Sequence, residues 1–509
     1  MSGHSLLSSL PSRIASLVHT HFDALPTRSK PNIFPDGSRE WIPMTGIVAV
    51  KGENTPAETL TCIAVTTGAK CLPASLIPKC RGLVLHDFHA EILALRAFNY
   101  WLLTECRSIL VQEEHETSKH HPDANMTMPG SPFIRRRESG EHEHGIKWPP
   151  FEIQPDVKVY MYCTCAPCGD ASMELCMAAQ EDATPWEVRR PDPEIGDGLL
   201  DGRAHFSLLG VVRRKPSRMD AEATRSKSCS DKLALRQVSS LLSWETSTLV
   251  APTENAYLAG LILPEDEISR VACDRSFGKT GRMQALVGRT WPQTPGSVPV
   301  LYQFCPFEVL SVPAEEINTL WRFAKPKSGM TDAEDIAISK KCKPSNTSAV
   351  WISAPSYSHP CATIPGTGIK SLPTLCRSKT GLYETIINGV KQGNRASTPL
   401  PRGASHLSRA KLWALVREIV QWPACHSCQD DMQGQGSSPE LTKRVALQDL
   451  SFMQRCTDEV MTYRDLKRAG NDLADPLRVR QQAIWDTKQI LKGWIPNAGD
   501  ESWDLDVLK

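Results

Sequence analysis

The chain has 509 residues, 40% of them hydrophobic and 23% charged, with a formal net charge of +1. Those proportions exclude a disordered or fibrous protein. The near-neutral balance excludes one that coats nucleic acid indiscriminately, so any RNA contact has to come from a local basic patch. Seventeen cysteines, an odd number without a tight framework, point to free thiols in a reducing, intracellular compartment, with room for a metal site.

Residues 1–40 read as a helical lead-in. Ile14, Leu17, Val18, Phe22 and Leu25 fall at helical spacing, without the unbroken apolar core of a secretion signal. No run is long enough to span a bilayer, so no membrane partner is expected. Residues 41–509 read as one large domain. Its first strands are Gly46 to Val50 and Thr61 to Val65, a hairpin joined by the turn-rich Gly52-Glu53-Asn54-Thr55-Pro56. His86-Asp87-Phe88-His89-Ala90-Glu91 then opens an apolar helical run that continues through Phe98, Trp101, Leu102 and Leu103.

Composition turns polar and proline-rich over 106–150, which reads as an exposed insertion whose histidines (His115, His120, His121, His142, His144) are solvated. Val157 to Tyr162 alternates as a strand and feeds Cys163-Thr164-Cys165-Ala166-Pro167-Cys168, with a helix from Gly169. A second insertion covers 181–202, and the basic segment Arg213-Arg214-Lys215 to Arg218 follows. Ser228-Cys229-Ser230-Asp231-Lys232 opens another helix, Tyr257 to Leu263 is a buried strand, and Glu265 to Phe277 a helix. Later strands are expected at Val298 to Tyr302, Ala349 to Ser353 and Tyr383 to Val390. Helices are expected at Ser405 to Val420, Thr442 to Lys467 and Leu477 to Lys492, with a polar insertion near 423–441. The alternation of strands and helices fits a layered α/β sheet.

A hydrolytic zinc site needs three protein ligands and an open position. His89, Cys168 and Cys229 each sit where a strand or loop enters a helix, and the positive end of a helix favours the thiolate that binds zinc. Glu91, two residues from His89, is placed to carry protons beside the metal. Common deaminase signatures read Pro-Cys-x-x-Cys, but Pro167-Cys168-Gly169-Asp170-Ala171 has alanine at the second cysteine position. The third ligand therefore comes from elsewhere; Cys229 is the first choice and Cys165 its rival. Taken singly, each cysteine also reads as a buried small hydrophobe.

Together, His89-Ala90-Glu91, Pro167-Cys168-Gly169-Asp170-Ala171 and Ser228-Cys229-Ser230-Asp231-Lys232 resemble the RNA adenosine deaminases. Thr67 to Cys71, Gly281-Arg282-Met283, Ile386 to Val390 and Trp494 extend the match. The resemblance implies a cytidine-deaminase-like three-layer α/β/α core and zinc held by His89, Cys168 and Cys229. It also implies Glu91 as proton shuttle and hydrolysis of adenosine to inosine, with 41–509 as the catalytic domain. Fewer residues precede the first strand than the ~60 of a small stable fold, so no double-stranded RNA-binding domain is expected. The chain thus looks like the branch that acts on tRNA, at the adenosine just 3′ of the anticodon in alanine tRNA. Lys70, Arg213, Arg214 and Lys215 are the expected RNA contacts, the basic segment reading otherwise as a solvated loop. The family's buried inositol hexakisphosphate implies a ligand set of Arg96, Lys232, Tyr463, Lys467 and Trp494, with Arg409 or Lys411 on the Ser405 helix, and Arg480, as further matches. A relay from Lys232 toward the zinc-bound cysteine is expected to let that charge tune the site.

Overall fold

A strand that is apolar on both faces must be covered twice, and the centre of this chain is built on that requirement. In Met44–Lys51, Ile47 and Ala49 join one apolar cluster while Val48 and Val50 join another. A computed structural model describes residues 8–117, 130–137, 148–179, 184, 200–202, 207–215, 221–292, 300–326, 342–357, 372, 375–421, 462–473 and 475–509. Its main elements, in chain order, are α1 (Leu10–Asp23), β1 (Met44–Lys51), β2 (Thr59–Thr67), α2 (Ala90–Thr117), β3 (Val157–Cys163), α3 (Cys229–Ser239), β4 (Leu258–Pro264), β5 (Glu308–Val312), β6 (Thr347–Ile352), β7 (Leu382–Ile387), α4 (Arg409–Val420), α5 (Tyr463–Leu473) and α6 (Asp475–Ile490).

The strands form one mixed sheet in the order β5-β4-β3-β1-β2-β6-β7, completed by Cys376–Arg377 and Val390–Lys391 paired on β7. β4 runs parallel to β5 and β3, and the remaining neighbours are antiparallel. Helices α2, α3 and α4 cover one face, and α1 with Ala314–Leu320 covers the other. This is the three-layer α/β/α arrangement expected from the sequence.

Two expectations change. The N-terminal helix is no mere lead-in: Ile14, Val18 and Phe22 are buried against β1 and β3 with Tyr162, Trp321 and Phe323, so α1 is itself the outer layer. It lies so close that a Cβ on Gly46 would stand 2.3 Å from Val18 Cγ2. The 106–150 insertion also begins later than its composition suggests. α2 runs on to Thr117 with Cys106, Ile109 and Leu110 buried, and Arg136, from a short strand paired with Phe151–Ile153, pairs with Glu113 at 2.6 Å.

The hairpin, the 157–163 strand and the terminal helix fall where the pattern placed them. The Glu265 to Phe277 helix divides into a 3-10 turn at Glu265–Glu267 and a helix at Arg270–Phe277, because the Ser269 hydroxyl caps the latter by accepting from Ala272 N. Of the strand expected at Val298 to Tyr302, only its end is described as strand, Tyr302–Gln303 paired with Thr290–Trp291. The 423–441 insertion, Arg218 and residues 442–461 of the Thr442 helix lie outside the described residues, as do the side chains of His115, His120, His121, His142 and His144.

Candidate metal centre and the cation-lined cavity behind it

The centre forms where β2 and β3 end and α2 and α3 begin. Asp87–His89 pairs antiparallel with Ala69–Cys71, and Ala90 N donates to Gly68 O at 2.9 Å. α2 therefore starts directly after His89, with Glu91 in its first turn. β3 ends at Cys163 and leads into the Cys168 loop.

Cys168 and Cys229 are far apart in sequence, and Gly169 is what lets their loops meet. Its φ is +108°, and a Cβ there would stand 2.2 Å from Ser228 Oγ, so any other residue is both strained and crowded. Ser230 N then donates to Cys168 O, and Ser230 Oγ to Pro167 O, each at 3.0 Å. Asp231 locks the Cys229 loop, accepting from Ser228 Oγ at 2.6 Å, Arg282 at 2.6 Å and Arg213 N at 2.9 Å.

The three ligand atoms converge. His89 Nδ1 lies 3.7 Å from both Cys168 Sγ and Cys229 Sγ, and all three lie within 4.8 Å of one another. Zn–N and Zn–S bonds of ~2.0–2.1 and ~2.3 Å at tetrahedral angles separate nitrogen from sulfur by about 3.6 Å, so the trio fits zinc. The hydrogen bond from Cys229, helped by Lys215 and His89, holds Cys168 well below the usual thiol range, while burial keeps Cys229 high. Glu91 is buried beside them with Oε2 unpartnered, and burial together with the Cys168 charge raises its carboxyl. No candidate ligand cluster among the described residues includes Cys165, whose thiol burial pushes far up.

Behind the centre stands a buried junction. Asp87 accepts from Lys215 Nζ at 2.9 Å and Ser226 Oγ at 2.6 Å, and is paired with Lys232. Lys215 Nζ also reaches Cys229 Sγ at 3.3 Å. Burial alone would raise the Asp87 carboxyl, but the two lysines outweigh it and hold it well below the usual range. Lys232 faces the other way as well, into a cavity of about 320 Å³.

Six cations line that cavity, namely Arg96, Lys232, Arg236, Arg409, Lys467 and Arg480, against the carboxylates of Asp87 and Glu245. Asp87 is already engaged, and Glu245 takes the Tyr463 hydroxyl. Burial, with the neighbouring cations adding, pushes Lys467 down to about 8 and lowers Arg96 and Arg236. So many desolvated positive charges are costly without a counter-ion. The donor set fits a polyanion.

The adenosine-deaminase (editase) domain family matches residues 64–241. The tRNA-specific adenosine deaminase 1 of Schizosaccharomyces pombe is 33% identical over 495 residues, 97% of this chain and 97% of that protein. The chain belongs to the adenosine-deaminase (editase) family. The Saccharomyces cerevisiae protein of the same name is 32% identical over 46% of this chain and 54% of its own. The double-stranded RNA-specific editase B2 of Rattus norvegicus is 28% identical over 43% of this chain and 26% of its own. Membership implies a metal site, and the trio above is where this editase-family chain has one to offer.

Against the residues expected from sequence, the structure brings together His89, Cys168, Cys229 and Glu91. Arg96, Lys232, Arg409, Tyr463, Lys467, Arg480 and Trp494 all line the one cavity. The basic segment is corrected. Arg213 and Lys215 are 2% and 5% exposed, so neither reaches RNA phosphate. Their backbone pairs with Ser226 to Ser228, which turns both side chains inward; the Arg213 guanidinium donates to Leu208 O at 2.6 Å. Arg214 remains half-buried, and Lys70 stays partly exposed beside the His89 strand, contacting Asn346. Arg236 and Lys488 are cavity and rim residues that the sequence reading missed. Helical spacing would have found them, since Arg236 lies one turn beyond Lys232 and Lys488 two turns beyond Arg480.

Proposed function

We propose that this chain hydrolyses adenosine to inosine in tRNA, at the nucleotide just 3′ of the anticodon in alanine tRNA. The observation that carries the reading is the convergence of His89 Nδ1, Cys168 Sγ and Cys229 Sγ beside a buried, unpartnered Glu91 carboxyl. Likeness along nearly the whole chain to a tRNA-specific deaminase favours tRNA over a free nucleoside. An anticodon loop is single-stranded, so presenting its base costs less than flipping one out of a duplex.

Zinc held by His89, Cys168 and Cys229 would supply Lewis acidity at an open fourth position. Glu91 does the proton work: burial raises its carboxyl, so it can take one proton from the attacking water and pass it to the purine ring nitrogen, then take the remaining hydroxyl proton and pass it to the departing amine. The Asp87–Lys215 pair keeps a cation on the Cys229 sulfur and so favours its thiolate. The cavity would hold inositol hexakisphosphate, with Arg96, Lys232, Arg409, Lys467 and Arg480 as counter-charges, Trp494 as a donor, and Tyr463, its hydroxyl given to Glu245, in the wall. The described cysteines are all free thiols, which suits an intracellular compartment. No helix among the described residues is long and apolar enough to cross a membrane.

The test incubates the purified protein with alanine tRNA and, separately, with adenosine, and measures inosine. Inosine in the tRNA alone supports the reading, whereas turnover of free adenosine alone replaces it. Glu91→Ala keeps bound metal and fold but loses turnover; activity surviving that change would reassign the centre to a structural role.

A further inference from the structure

With Arg213 and Lys215 buried, Lys70 and Arg214 are left of the expected RNA contacts, and a second surface stands near the metal centre outside the matched family segment. Residues 32–40 form a short hairpin. Glu40 N donates to Asn32 O and Phe34 N to Ser38 O, both at 2.9 Å, and Ile33 bridges Arg39. Its tip holds Ile33 and Phe34 outward, 54% and 45% exposed. An ordered tip that keeps two large apolar side chains in water reads as a contact site rather than as packing.

The hairpin is fixed at its base. Arg39 donates to Ala324 O at 2.7 Å and Ile42 N to Phe323 O at 3.0 Å, and both Ile42 and Phe323 are buried in the α1-side core. Exposed Arg322 and Lys325 stand on the same segment, with Lys325 Nζ 5.9 Å from the Trp41 ring. The acids nearby are engaged locally. Glu40 accepts from Asn32 N at 3.0 Å and Ser345 Oγ at 2.9 Å, and Asp36 from Ser38 Oγ at 2.6 Å. Asp36 and Glu40 keep their charge, offset in part by Arg39, while exposed Arg322 and Lys325 add two cations beside the hairpin base and Phe34 supplies an aromatic, the pairing that grips single-stranded nucleic acid.

The hairpin leads into the backbone beside the metal centre. Gly68 N donates to Pro43 O at 3.2 Å and Ala90 N to Gly68 O at 2.9 Å, so two backbone hydrogen bonds join the hairpin's exit to the residue after His89. On the reading that this chain deaminates RNA, we infer that the 32–41 hairpin and the 322–325 segment dock the RNA strand leading to the reacting nucleotide. Phe34 and Ile33 pack on an unpaired base, and Arg322 and Lys325 meet phosphates.

The experiment compares the full chain with two double variants, Ile33→Ser/Phe34→Ser and Arg322→Glu/Lys325→Glu, and with Trp485→Ala as a matched loss of an exposed aromatic. Steady-state kinetics and binding at several salt concentrations use intact alanine tRNA, and zinc content and thermal midpoint are recorded. Loss of one stacked base weakens binding roughly 5- to 150-fold, so the tip variant raises KM about tenfold or more while kcat stays within about twofold. Losing phosphate contacts flattens the log–log salt dependence by roughly 0.7 per contact on a single strand. Trp485→Ala leaves KM alone. The inference is overturned if KM and salt slope match the parent, which would leave the tip for a protein partner. It is equally overturned if zinc content or thermal midpoint falls with KM, which would make these residues structural. A parent protein that deaminates no RNA overturns the deaminase reading itself.

Discussion

Replacing Lys215 by methionine would remove one of the two lysines that pair with Asp87 among the described residues, and the ammonium from Cys229 Sγ. Breaking a buried ion pair from one side costs about 3–5 kcal/mol. Lys232 remains on Asp87, so the loss should fall near the lower figure. Residues that orient metal ligands typically contribute about 10–100-fold to metal affinity, and a loss of that order is expected here. Denaturant unfolding and chelator competition measure the two effects separately, and unchanged zinc affinity would make Lys215 purely structural. This lysine also marks where single residues became illegible. A run of arginine and lysine looks like a solvated patch unless one knows that Asp87, 128 residues away in the chain, is buried and needs cations. That His89, Cys168 and Cys229 would meet was legible because each stands at a helix start, although Cys165 stayed a rival until the atoms were seen to converge.

At the level of elements, the contact between α1 and β1 can be tested with two alanines. Gly46→Ala places a methyl 2.3 and 2.6 Å from the Val18 branches, and overpacking of this kind costs about 1–3 kcal/mol. Val18→Ala removes the atoms struck, so the double variant should be less destabilised than the two single losses added together. Denaturant midpoints provide the cycle; strict additivity would mean that α1 moves aside freely. β1 and β2 were readable as short apolar runs joined by turn residues, and β3 by its two-residue alternation, all local signals. The length of α2 was not, since its last turns are polar in sequence and are held by Arg136 from a strand more than a turn-length away in the chain. The breadth of the α1 layer was hidden for the same reason: Trp321 and Phe323 reach it from the far half of the sequence.

For the whole molecule, the cavity makes stability depend on an anion and on pH together. An unfolded lysine titrates near ~10.4, whereas Lys467 in the anion-free fold releases its proton at about 8, pulled down by burial and by the arginines around it. Between those values the unfolded chain binds more protons, so the anion-free protein should gain stability as pH rises from about 8 to about 10. A bound polyanion keeps the lysine charged and abolishes that gain. Thermal midpoints across this range, with and without inositol hexakisphosphate, decide the matter; parallel profiles would sink the idea. Seven cavity residues were anticipated only through the family resemblance; local pattern could not have joined them, because they come from α2, α3, α4, α5, α6 and the C-terminal loop.

The Asp87 carboxylate sits between two reservoirs of charge, touching Lys232 on the cavity side and Lys215 on the sulfur side. Binding at either place must then obey reciprocity: the factor by which polyanion changes zinc affinity equals the factor by which zinc changes polyanion affinity. Phosphate that draws Lys232 away leaves Asp87 to neutralise Lys215 more fully, which lessens the repulsion a divalent ion meets, so each ligand should favour the other, by roughly fivefold or more. Four dissociation constants close that square, and a ratio of one would mean that the two reservoirs are strangers.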